Sequence, residues 1–346
     1  MKIVYSDDQR LHALRYEMSG GEPTPCFEKP SRADMVLEQV VKQQLGEVLA
    51  PKDYGLTPIT KVHTPGYIQF LENCWPAWEA EFGSANDAVP EAFPMHDFRH
   101  KVPAHIKGQL GYYAFDLAVG LSAGSWQAIK SSANVALTGA EIICSGERTA
   151  FSLCRPPGHH ASADQMGGYC YVNNVAVAAQ YFRDQGYEKV AILDVDYHHG
   201  NGTQSIFYNR NDVFVASIHG DPNYEYPYFS GHSDEIGQGD GEGYNLNIPL
   251  TLHTTDWPVY REALQRCMAA IKDFDCDVLL ISLGLDTFEH DPISSFKLKS
   301  ENFSEMGVLI ESMQLPTLFV FEGGYAVEDL GVNTANVLLA FQESMG

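Results

Sequence analysis

In the stretch "KVAILDVDYHHGNGTQ", Asp194, Asp196, His198 and His199 follow directly on the apolar residues 190–193. Ionisable groups at the end of a buried strand are costly to desolvate unless something compensates them. In an extended strand, residues two apart share a face, so Asp194, Asp196 and His198 point one way and Tyr197 and His199 the other. Asp286, in "SLGLDTFEHDP", ends a second apolar run. Asp196, His198 and Asp286 together offer two carboxylates and one imidazole, and both donor types bind Zn²⁺ at ~2.0–2.2 Å. Three protein ligands leave a fourth position open, which is the catalytic arrangement. A salt-bridged or hydrogen-bonded strand end would use the same residues without an ion. Donor softness alone does not separate Zn²⁺ from Fe²⁺ or Mn²⁺.

Two more apolar runs end in reactive groups. "AFSLCRPPGHHA" ends at His159 and His160, and "TLFVFEGGY" ends at Tyr325. In open α/β sheets, ligands collect outside the carboxyl ends of the strands, so four such endings point to one site. Pro156, Pro157 and Gly158 form a rigid turn that presents the two histidines. A histidine takes and returns a proton near neutral pH, although adjacent histidines also serve as plain structure. Tyr325 follows two glycines, which let backbone approach a site closely. Its phenol could donate to a developing oxyanion, or it could be a surface tyrosine after a turn.

The elements that must position these groups read as alternating strands and helices. Strands fit near 150–154, 190–195, 213–219, 278–283 and 317–321, with a first strand at the N-terminus. Helices fit near 31–50, 171–185, 259–273 and 303–312. This alternation predicts an α/β fold: a single domain over 1–346 with a central parallel sheet and helices on both faces. Residues 72–109 break the rhythm with Trp75, Trp78, Phe82, Phe93 and Phe98 among prolines and glycines, which predicts a long ordered inserted loop.

The formal net charge of -23 disfavours nucleic acid and favours a cationic partner, though it also suits a merely well-solvated surface. The apolar runs fall short of the ~20 residues of a membrane span, and no basic region precedes an apolar one at the N-terminus. The seven scattered cysteines contain no CxxC. The expectation is a reduced, cytoplasmic protein with no membrane or nucleic-acid partner.

The motifs "RPPGHHA", "GGYCYVNN", "LDVDYHHGNGTQ", "VASIHGDP", "SLGLDTFEHDP" and "FEGGY" resemble, in order, those of the zinc-dependent deacetylases of the arginase–deacetylase fold, the histone deacetylase superfamily. The stretches "YEMSGGE", "FEKPSRA", "HTPGYIQFLE" and "GQLGYY" resemble one branch, the bacterial acetylpolyamine amidohydrolases. The resemblance implies an amidohydrolase in which a zinc-activated water attacks an acetyl carbonyl. It implies Asp196, His198 and Asp286 as zinc ligands, with Fe²⁺ an alternative in the cell. His160 matches the general base and acid, and His159 its neighbour, with Asp194 as hydrogen-bond partner. Tyr325 matches the residue that polarises the carbonyl. Gly168, Tyr169, Tyr226 and Ile293 match the substrate tunnel, and Glu17 an acidic position at its mouth.

The resemblance also implies two potassium sites. Asp194, Ser217 and the carbonyls of Asp196, His198 and Ile218 match the inner one. The carbonyls of Phe207, Arg210, Val213 and Tyr244 match the outer one. It implies a small cationic acetylated polyamine as substrate and a homodimer in which the inserted loop narrows the tunnel. Two features depart from expectation. Asn201 stands where some branches carry an aspartate beside the general base. Lys107 stands in the insertion where an acid would greet a polyamine. A protein-lysine deacetylase and a catalytically silent binder of acetylated amines are the alternatives.

Overall fold

The computed structural model describes residues 1–345. In chain order its elements are β1 (Lys2–Val4), β2 (Glu17–Ser19), β3 (Glu22–Thr24), α1 (Ser31–Lys42), β4 (Glu47–Leu49), α2 (Pro65–Phe82), α3 (Ile106–Tyr112), α4 (Ser125–Cys144), β5 (Thr149–Ser152) and α5 (Asn174–Asp184). Then follow β6 (Val190–Asp194), α6 (Asn201–Phe207), β7 (Val213–Gly220), β8 (Asn245–Leu250), α7 (Trp257–Phe274), β9 (Val278–Leu283), α8 (Ser300–Glu311), β10 (Thr317–Phe321) and α9 (Val327–Ser344).

Eight strands form one parallel sheet in the order β4-β1-β5-β10-β9-β6-β7-β8. Alternate side chains feed two cores, as the period of two requires. Ala191, Leu193, Leu279, Ile281, Phe319 and Phe321 pack with α1, α7, α8 and α9. Val190, Ile192, Val278, Leu280, Leu318 and Val320 pack with α4 and α5 on the other face. Both faces are covered, which explains why these strands read as continuous apolar runs. The expected α/β architecture is therefore present. The four strands that end in reactive groups, β5, β10, β9 and β6, are consecutive neighbours in the sheet.

Two expected elements are revised. The helix expected over 31–50 stops at Lys42, and residues 47–49 form edge strand β4. Gln44 turns the chain at φ 54°, and a side chain at Gly46 would run into the Met1 carbonyl, so the chain reverses tightly onto β1. The inserted loop expected over 72–109 is partly helix. Tyr67, Phe70, Leu71, Cys74 and Trp78 recur at helical spacing and are buried, carrying α2 through to Phe82 despite Pro76 in its interior. Residues 83–105 then run without helix to α3. α2, α3 and this segment share a separate apolar cluster that includes Ala88, Ile106 and Leu110.

Candidate active site

β6 ends at Asp194, so strand alternation does not itself extend to His198. Local hydrogen bonds take over. The Asp196 N–H donates to Asp194 Oδ1 at 3.1 Å, and the His198 N–H donates to Asp196 Oδ1 at 2.9 Å. Just beyond β9, Asp286 accepts the Tyr197 N–H at 2.8 Å and places Oδ2 2.9 Å from His198 Nδ1. The donor atoms of Asp196, His198 and Asp286 all lie within 4.8 Å of one another, and all three residues are buried. His199 points elsewhere, to Ser230 and Gln204.

Burial opposes charge on both carboxylates. Together with the neighbouring Asp196 charge it pushes Asp286 up to about 7, while His159 and His198 hold Asp196 down. Two facing buried carboxylates beside an imidazole suit a divalent cation, which would resolve that repulsion. Side chains at Gly284 or Gly323 would collide with Asp196, and at Gly323 also with Asp286. Glycine backbone thus closes one side of the group.

His159 and His160 stand beside it with ring centroids 4.0 Å apart. His159 Nδ1 lies 3.0 Å from Asp194 Oδ2. His160 Nδ1 lies 2.8 Å from Asn201 Oδ1. With that amide oxygen accepting, Nδ1 carries the hydrogen and Nε2 is the basic nitrogen. Burial, then the nearby His159 and His198, push the His160 pKa well below its usual value, so the ring is neutral. Tyr325 is held by its own N–H, which donates to Asp291 Oδ2 at 2.6 Å. Burial pushes its phenol well above the usual range, so it stays protonated and able to donate.

A cavity of about 230 Å³ leads down to these groups. Glu17, His160, Gly168, Tyr169, His198, Tyr226, Ile293 and Tyr325, all singled out in the sequence, line it together. Its remaining walls are Met18, Ser19, Phe27, Ala118 and Glu225. No residue of 72–109 lines it, so within this chain the narrowing comes from Tyr169, Tyr226 and the β2–β3 hairpin. Lys107 lies away from it, paired with Glu91 at 3.0 Å, and does not oppose a cation there.

Glu17 does more than face the mouth. Its carboxylate accepts the Tyr169 hydroxyl at 3.1 Å and the Phe27 N–H at 3.0 Å, bracing one wall. No motif marks the brace of the other wall. The Tyr226 hydroxyl donates to Asp116 Oδ2 at 2.5 Å, and the Gly168 N–H donates to the same oxygen at 2.9 Å. Glu225 accepts the Tyr197 hydroxyl at 2.7 Å and the Tyr226 N–H at 2.9 Å.

The residues expected at the potassium sites are also placed. Ser217 pairs with Asp194 across β7 and β6, and its hydroxyl lies 2.7 Å from His219 Nδ1. Ile218 follows it in β7. Phe207, Arg210 and Val213 run from the end of α6 to the start of β7. The Tyr244 carbonyl accepts the Val215 N–H beside them at 3.1 Å.

Beneath the site lies an ion network whose members stand in "FEKPSRA" and "RPPGHHA", two stretches that no local spacing pairs. Arg155 grips Glu28 with two hydrogen bonds, at 2.8 and 2.9 Å. Arg32 joins Glu28 at 3.0 Å and stacks 4.6 Å from the Tyr325 ring centroid. Desolvation would raise Glu28, but Arg155 and Arg32 outweigh it and hold the carboxyl below its usual value.

The histone deacetylase domain matches residues 26–341. The chain belongs to the histone deacetylase family. This histone deacetylase-family chain is 56% identical over 342 residues to acetylpolyamine amidohydrolase 2 of Pseudomonas aeruginosa, covering 99% of each. It is 46% identical over 338 residues to acetylpolyamine amidohydrolase of Mycoplana ramosa, covering 98% of each. Among solved structures it is similar to acetylpolyamine aminohydrolase from Burkholderia pseudomallei, with a TM-score of 0.95 and 36% identity over the whole of both chains. No helix among the described residues is long and apolar enough to cross a membrane.

Proposed function

We propose that this protein is an amidohydrolase that splits acetylated polyamines into acetate and free polyamine. The observation that carries the reading is convergence. The neutral His160, the protonated Tyr325 and the buried Asp196–His198–Asp286 group sit where one aromatic-walled cavity ends. The full-length likeness to acetylpolyamine amidohydrolases supports the substrate class. So do Glu17 and Glu225, which put carboxylates along the path of a cationic chain.

Asp196, His198 and Asp286 would hold a zinc ion, which when bound makes hydroxide available at neutral pH and polarises a carbonyl. The chain's own residues do the rest. Tyr169 and Tyr226 hold the thin alkyl part of the substrate and exclude bulk water. The Tyr325 hydroxyl donates to the amide oxygen as negative charge develops on it. His160 Nε2 takes a proton from the attacking water and delivers it to the amine nitrogen as the C–N bond breaks. Asn201 keeps His160 in the tautomer that leaves Nε2 free, and Asp194 orients His159. Asp194, Ser217 and nearby carbonyls would hold potassium behind the site. Homodimerisation would cover Phe93, Met95, Phe98 and Val102, which are exposed in the inserted segment.

The test is a side-by-side comparison of kcat/KM for acetylputrescine, acetylcadaverine, acetylspermidine and an acetyl-lysine peptide. The small amines should exceed the peptide by more than ten-fold, or ~1.4 kcal/mol of differential transition-state binding. A peptide cleaved as fast as the amines would instead assign a protein-lysine deacetylase.

A further inference from the structure

Glu322 directly follows Phe321, the last residue of β10, and is fully buried, yet the scheme above gives its carboxylate nothing to do. Its Oε2 accepts two consecutive backbone N–H groups, from Gly158 at 2.6 Å and His159 at 3.2 Å. These belong to the turn that presents His159 and His160. Its own N–H donates to the Leu283 carbonyl, the last residue of β9, at 3.0 Å. Its carbonyl accepts Arg32 Nη2 at 2.6 Å. The next N–H, that of Gly323, donates to Asp196 Oδ2 at 2.9 Å. Glu322 and its neighbour Gly323 therefore tie the histidine turn, the end of the strand that leads to Asp286, and the Asp196 carboxylate.

Accepting two N–H groups does not by itself require an acid here. Its other oxygen, Oε1, has no hydrogen-bond partner among the described residues, so the fold carries the desolvation of a half-satisfied carboxyl. An apolar residue here would leave the Gly158 and His159 N–H groups without an acceptor, which costs stability as well as position. What an apolar residue cannot supply is an acceptor within reach of both N–H groups. We infer that Glu322 is a positioning residue, whose Oε2 sets where His159 and His160 stand relative to Asp196 and Tyr325. This rests on the deacetylase reading.

Two variants separate reach from the acid group. Glu322→Gln keeps the reach of the acceptor and replaces the acid by a neutral amide. Glu322→Asp keeps the acid and withdraws the acceptor by one methylene. Small misplacement of catalytic groups costs up to ~10²-fold in rate. The expected result is that Glu322→Asp loses about ten-fold or more in kcat, with KM within about two-fold and metal content unchanged. Glu322→Gln stays within about three-fold in kcat. Histidine side-chain NMR gives a readout that needs no turnover. The His159 and His160 ring signals should move in Glu322→Asp and hold their positions in Glu322→Gln. The inference is overturned if Glu322→Asp keeps its rate and its ring signals, if Glu322→Gln is the more damaged of the two, or if either variant loses metal. Wild-type turnover of an acetylated amine tests the deacetylase reading separately, and the ring signals test Glu322 whatever that turnover is.

Discussion

His160 Nδ1 lies 2.8 Å from Asn201 Oδ1, so the proposed base rests on a neutral amide at the start of α6. An amide fixes the tautomer without favouring the imidazolium. Replacing Asn201 by aspartate adds a charge that stabilises the protonated ring and raises its pKa. The basic form then disappears at a higher pH, so the acid limb of the kcat/KM profile in Asn201→Asp should move upward. A pH–rate profile checks this, and an unmoved limb would mean that another group sets it.

Asp286→Ala removes one of only three side chains proposed to hold the ion. Elemental analysis should find about one divalent ion per chain in the wild type and close to none in the variant. Full occupancy in Asp286→Ala would sink the ligand assignment.

Tyr325→Phe deletes one hydroxyl while leaving the ring against Arg32, so the fold and metal content should persist. Losing one donor to a developing oxyanion costs ~10²–10³ in kcat. Steady-state kinetics beside elemental analysis decide the point. Near-normal kcat would show that the hydroxyl does not reach the carbonyl.

Glu17 is proposed both to brace Tyr169 and to attract a cation, and two substitutions separate the roles. Glu17→Gln keeps an acceptor for the Tyr169 hydroxyl and loses the charge. It should lower kcat/KM for an acetylated diamine more than for an uncharged acetyl-amide of equal length. Glu17→Ala frees Tyr169 and should lower both. Raising the salt should shrink the diamine preference of the wild type, because exposed charges are screened beyond ~10 Å at 0.1 M. Equal losses for both substrates in Glu17→Gln would leave only the bracing role.

The site was legible where chemistry coincides with an apolar run. The endings at His160, Asp196, Asp286 and Tyr325 could be marked from residue types and drawn to one end of the sheet, but the order β5-β10-β9-β6 could not, because nothing local encodes it. Helix α4 escaped notice because its buried residues include Ser131, Ser132, Asn134 and Thr138, which blur the apolar period. The contact between Glu28 and Arg155 spans 127 residues and has no spacing to betray it. The inserted segment differs for another reason: its prolines and glycines hide the helical period, and Trp78 lies in α2 and packs with Ile106 and Leu110.

The most direct measurement is acetate released from acetylputrescine by purified protein, before and after stripping the divalent metal with a chelator and restoring zinc. Acetate should appear in equal amount with free putrescine, fall to background on stripping and return when zinc is restored. Release that continues undiminished in fully stripped protein, or no release in the zinc-loaded protein, would contradict the account.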